Sequence, residues 1–120
     1  MLSLPPTVKI FLCTNATDMR KSFNGLSSAV KQVIGQDPFC GHLFVFFNRR
    51  RDQVRILFWD RNGFSILAKR LEKGCFKLPV CEPGASHVDV EAADLALILE
   101  GIDLNNAKRR KRWDSENKAA

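Results

Sequence analysis

The sequence contains no tyrosine, which excludes any chemistry that depends on a phenolic hydroxyl. No apolar run reaches the roughly 18 to 20 residues of a membrane-spanning helix. The start, Met1-Leu2-Ser3-Leu4-Pro5-Pro6, lacks the basic and long apolar regions of a secretory signal. A cytoplasmic protein without membrane contact is therefore expected. Histidine occurs only at His42 and His87, with no Ser or Cys partner at a spacing that makes a nucleophile and its base. Among the seven glycines there is no Gly-x-Gly-x-x-Gly or Walker pattern, so the phosphate cradles of nucleotide-binding enzymes are missing. The four cysteines, Cys13, Cys40, Cys75 and Cys81, include no Cys-x-x-Cys pair that would pre-form half of a zinc tetrahedron. Free thiols in a reducing compartment are expected, and no cofactor; zinc on Cys40, Cys75, Cys81 and either His42 or His87 is the alternative.

What is present suits one globular domain. With 120 residues, 45% hydrophobic and 27% charged, the chain can bury one modest core. Its charge is arranged in blocks. Arg49 to Lys77 carries nine basic and three acidic side chains, and Glu82 to Asp103 carries six acids with no Lys or Arg. Five consecutive cations follow at Lys108, Arg109, Arg110, Lys111 and Arg112. Such blocks call for a partner of opposite sign or for solvent.

Alternation over Val8 to Cys13 predicts a short strand. Thr17 is placed to cap a helix whose apolar positions Met19, Phe23, Leu26, Val30, Val33 and Ile34 share one face, with Gly35 ending it. Gly25 inside that helix implies a close packing neighbour. Leu43 to Phe47 is apolar at every position, as in a central strand covered on both sides. Val54 to Trp59 and Phe64 to Leu71 continue as antiparallel neighbours, the first hairpin carrying arginines at its apex and the second turning at Asn62-Gly63. With Asn62 and Gly63 as the central residues, Arg55 falls opposite Arg70, a like-charge pair that an anion between them would relieve. A loop broken by Gly74, Pro79 and Pro83-Gly84 leads to a second helix from about Val90, with Leu95, Ile98, Leu99 and Ile102 facing the core and Gly101 capping its end. The expected fold class is α+β: an antiparallel β-meander of three to four strands packed against two helices. Residues 1–104 would form the domain and residues 105–120 a flexible basic C-terminal tail.

The stretches Thr17-Asp18-Met19-Arg20-Lys21, Asp37-Pro38-Phe39 with Gly41, and Leu43-Phe44-Val45-Phe46 with Asn48-Arg49-Arg50-Arg51 occur in a telling order. Ile56-Leu57 with Trp59-Asp60, Lys69-Arg70-Leu71-Glu72-Lys73-Gly74 and Leu99-Glu100-Gly101-Ile102-Asp103 continue it. Over nearly its whole length the chain resembles TnpB, the accessory protein encoded by the second reading frame of insertion-sequence-sixty-six elements. It departs from that pattern where Asn15 replaces a common Gly, where Glu91 replaces a Ser or Thr before the last helix, and where Phe58 replaces Tyr. The resemblance implies a helper in DNA transposition beside a separate, larger transposase that carries the strand-transfer chemistry.

Electrostatics then names the expected contacts. Arg49, Arg50, Arg51, Arg55, Lys69 and Arg70 on the meander, and Lys108 to Arg112 on the tail, suit DNA phosphates read with little sequence preference. Trp113 beside the basic run suits base stacking, whereas Trp59 in a strand is expected in the core. A metal-dependent nuclease would need converging carboxylates, for which Asp18, Asp37, Asp60 and Glu72 are available. Asp60 at a turn and Glu72 beside lysines are better explained by local bonds, so no catalytic or metal-binding residue is assigned and the chain is not expected to be an enzyme. The rival reading is a protein-only interaction module, its acidic helix and basic hairpin docking on the transposase or on a second copy.

Overall fold

In the computed structural model, residues 7–101 are described. The strand β1, Ile10–Cys13, is followed by helix α1, Phe23–Ala29, which widens into a π-helical turn over Val30–Ile34. Strands β2, Leu43–Phe47, β3, Gln53–Asp60, and β4, Gly63–Arg70, then run as a meander. A short strand β5, His87–Val90, precedes helix α2, Ala92–Leu99. The sheet has five strands in the order β4-β3-β2-β1-β5.

This corrects the expected meander in two respects. β1 and β2 are parallel, with Ile10 beside Leu43 and Leu12 beside Val45. The intervening α1 supplies the crossover that a parallel pair requires. The sequence predicts loop over β5, because four residues after Pro83-Gly84 carry no long apolar pattern; the segment is held as an antiparallel edge by β1, Leu12 opposite Val88. The α+β class stands, as a mixed five-stranded sheet with two helices.

The sheet has a core on each face. Phe11, Cys13, Phe44, Phe46 and Leu57 meet Leu26, Ala29, Val30 and Ile34 of α1 and its π turn. On the other face Ile10, Leu12, Val45, Phe47, Val54 and Ile56 meet Leu95 and Ile98 of α2, with Phe76 from the loop after β4. β2 is buried at all five positions because it lies between these layers. Gly35 takes φ of 75° to end the helical segment, and a Cβ at Gly25 would stand 3.0 Å from the Cβ of Lys21. Both glycines meet the demands read from sequence.

Helix α1 starts at Phe23 after Ser22, not at Thr17. The Thr17 amide donates to the Phe47 carbonyl, and Asp18 closes a local turn by accepting from the Arg20 amide at 2.9 Å. Side-chain bonds of this kind offer the backbone an alternative to the helix. The Arg20 guanidinium also grips both Asp18 oxygens, at 2.7 to 3.1 Å. That side-chain bond first, and the Arg20 amide second, lower the Asp18 pKa to about 2. Its folded value lies below the ordinary ~3.9, so its stabilising contribution is complete above that value and is lost as pH falls through about 2. A carbon-detected NMR titration should place the Asp18 midpoint near 2, and Arg20→Ala should return it to the ordinary range; an unchanged midpoint in the variant would refute this cause.

The second hairpin also turns differently from expectation. Asp60 pairs with Gly63, leaving Arg61 and Asn62 central, and Arg61 adopts φ of 57°. Arg55 consequently lies opposite Ala68, and Arg70 opposite Gln53. The adopted register sets Leu57 against Ile66 and Trp59 against Phe64. Apolar and aromatic pairs are gained and the Arg55–Arg70 opposition is avoided, so the like-charge inference is withdrawn.

Candidate nucleic-acid interface

The β2–β3 hairpin, residues 48–53, is built around Asn48. Its side-chain oxygen accepts the Asp52 and Gln53 amides, each at 3.1 Å, and its amide nitrogen donates to Asp52 Oδ1 at 2.6 Å. The Arg51 amide donates to the Asn48 carbonyl, and the Arg51 carbonyl accepts from the Phe76 amide at 2.6 Å. A turn tied at so many points fixes the backbone from which the exposed side chains of Arg49, Arg50 and Arg51 project. Among the described residues no carboxylate lies within 4.0 Å of these guanidinium groups or of Arg55.

The other expected cations are placed unequally. Arg55 and Arg70 line one open groove of about 370 Å³ together with Gln53, Ala68, Lys69 and Glu72, at the end of β3 and β4 nearest the hairpin. Arg70 also faces Glu72 at 3.6 Å, an exposed pair that contributes little to stability. The Lys69 ammonium donates to the Leu99 carbonyl at 2.7 Å. It thereby satisfies the C-terminal end of α2, where a cation is electrostatically favoured. Lys108, Arg109, Arg110, Lys111, Arg112 and Trp113 lie outside the described residues.

Trp59 is half-buried rather than enclosed in the core. It forms a triad with Phe64 and Phe39, ring centroids 5.0 to 5.2 Å apart, and Phe39 is 51% exposed. This triad lies at the end of the sheet opposite the arginine hairpin. Among the described residues no three His, Cys, Asp or Glu side chains converge on a point that could hold a metal ion. Neither the candidate zinc set nor the carboxylates Asp18, Asp37, Asp60 and Glu72 are brought together. All four thiols are free, and burial raises the Cys13 pKa.

One feature of this end carries no sequence motif. The loop after β1 and the hairpin after β2 both leave the C-terminal ends of the parallel pair, and a cleft of about 190 Å³ opens between them. Thr14, Asn15 and Ala16 form one wall, and Asn48, Arg49 and Arg51 the other. The strand-helix-strand order of β1, α1 and β2 is the signal that could have located it, because such crevices form outside the carboxyl ends of parallel strands.

The model of the family described as IS66 Orf2 like protein matches residues 8–109. The chain belongs to this family. Membership associates it with transposition in an accessory role. Two relatives in Sinorhizobium fredii (strain NBRC 101917 / NGR234), the uncharacterized proteins y4jC and y4hO, are each 35% identical over 103 residues. The aligned region covers 86% of this chain, 86% of y4jC and 88% of y4hO. No solved structure matches the chain. Among the described residues, no helix is long and apolar enough to cross a membrane.

Proposed function

We propose that this protein is a non-catalytic accessory subunit of a bacterial transposition complex, holding DNA phosphates at its arginine-rich end and contacting the separate transposase. The observation that carries the DNA contact is the rigid Arg49-Arg50-Arg51 turn with Arg55 nearby, free of carboxylate partners within 4.0 Å among the described residues. Exposed cations left unneutralised by their own fold gain most from displacing counterions on a polyanion. Arg70 extends this surface along the edge strand β4, while Lys69 serves α2. The six basic residues of the segment beyond Ala107 would add phosphate contacts of the same sequence-independent kind. Strand transfer itself falls to the transposase, since no catalytic constellation is assigned in this chain.

A mobility-shift titration with duplex DNA at 50 and 200 mM salt tests the reading. Binding that is clear at the lower concentration and falls steeply at the higher one is expected. No shift at 50 mM would remove DNA from the function and leave a module that docks on protein alone. A pull-down with the element's own transposase, with and without terminal-repeat DNA, measures the second contact.

A further inference from the structure

The geometry points to a discrete phosphate-binding site in the cleft between the β1–α1 loop and the β2–β3 hairpin, a proposal that rests on the DNA-binding reading and locates it. At about 190 Å³ the cleft is smaller than the roughly 300 to 1,000 Å³ typical of small-molecule pockets. That size suits a phosphate group with little of its sugar. Its walls are fixed before any ligand arrives. The Thr14 amide donates to the Ser86 carbonyl and the Thr14 hydroxyl to the Ala85 carbonyl at 2.6 Å, while Asn48 ties the hairpin as described. The lining includes the guanidinium-bearing Arg49 and Arg51 but no Asp or Glu side chain. Asp52 is outside the lining, its Oδ1 bonded to the Asn48 amide.

Arg51 forms one lip of the cleft. It stands at φ of 59°, a left-handed conformation that glycine takes freely and a long side chain rarely adopts. Glycine would serve the fold there, because the bonds Arg51 makes, to Asn48 within the turn and from Phe76 of the loop after β4, use only its backbone. Arg49 and Arg51 line the cleft across from Thr14 and Asn15, and guanidinium groups carried there can reach a phosphate with the charge-assisted, directional bonds that its oxygens accept. The phosphate can belong to an internal phosphodiester or to a strand terminus.

The test is an amide NMR titration of the full chain with inorganic phosphate, a 5′-phosphorylated oligonucleotide and its 5′-hydroxyl counterpart. Phosphate should shift the amides of residues 14–16 and 48–51 in particular. Arg51→Gly should keep the fold and its melting temperature while weakening that response roughly tenfold or more. Lys31→Ser, which removes the same charge from a distant exposed position, should leave it unchanged. A stronger response to the phosphorylated oligonucleotide identifies a strand end, and equal responses identify an internal phosphate; either supports the site. DNA binding that persists without shifts at these amides, or that is identical in Arg51→Gly, would overturn the cleft and leave the broader reading intact. Phosphate shifts in a protein that fails to bind DNA would retain the cleft and sink the DNA reading.

Discussion

Replacing Phe76 with alanine is expected to destabilise the fold by about 3 to 5 kcal/mol. For a domain of this size that lowers the melting temperature by on the order of 15 °C. Phe76 belongs to the long loop after β4, yet it is fully buried, its ring 5.6 Å from that of Phe47 and its amide bonded to the Arg51 carbonyl. It belongs to the α2-side core together with Val54 and Ile56. Truncation would leave a cavity under a loop and loosen the strand that anchors the arginine hairpin. Val80→Ala in the same loop is the matched control. Val80 is 82% exposed, so its loss should change stability by no more than about 0.5 kcal/mol. Thermal denaturation of both variants decides the matter: equal effects would mean that the loop does not pack on the sheet as described.

The contrast between Phe76 and Val80 also shows where sequence reading stops. Both stand in a segment punctuated by Gly74, Pro79 and Pro83, and periodicity cannot distinguish an apolar residue that plugs a core from one that faces water. Leu43 to Phe47 was legible because five successive apolar residues leave only a two-sided burial. Gly35 was legible because only a residue at ease with positive φ ends a helix in that way. β5 was not, since four residues gain strand identity only from pairing with β1. The turn at Arg61 and Asn62 was missed for a related reason: cross-strand packing of Trp59 on Phe64 and Leu57 on Ile66 outweighed the local preference of Asn-Gly. As for the interface, the arginine apex could be read directly from its hairpin. The cleft beside it is legible only if the strand-helix-strand order of β1, α1 and β2 is taken as a parallel pair, since that pairing alone brings Thr14 to Ala16 and Asn48 to Arg51 together.

Changing the hairpin to Arg49→Ser, Arg50→Ser and Arg51→Gly together is expected to flatten the salt dependence of DNA binding while leaving the fold intact. These side chains are exposed and make no ion pair within 4.0 Å among the described residues, so their removal takes little from the core. Each lost phosphate contact reduces the slope of log affinity against log salt by about one. A reduction of about three means that, between 50 and 200 mM salt, the wild-type protein loses roughly 60-fold more affinity than the variant. Changing Lys108 to Arg112 to serine provides the complementary measurement, with a reduction of about five if every one of those cations meets a phosphate. A hairpin variant with an unaltered slope, alongside a tail variant that no longer binds, would assign the nucleic acid to the terminal segment alone. The arginine turn would then be a surface for acidic protein, and the transposase pull-down should lose its signal in the hairpin variant.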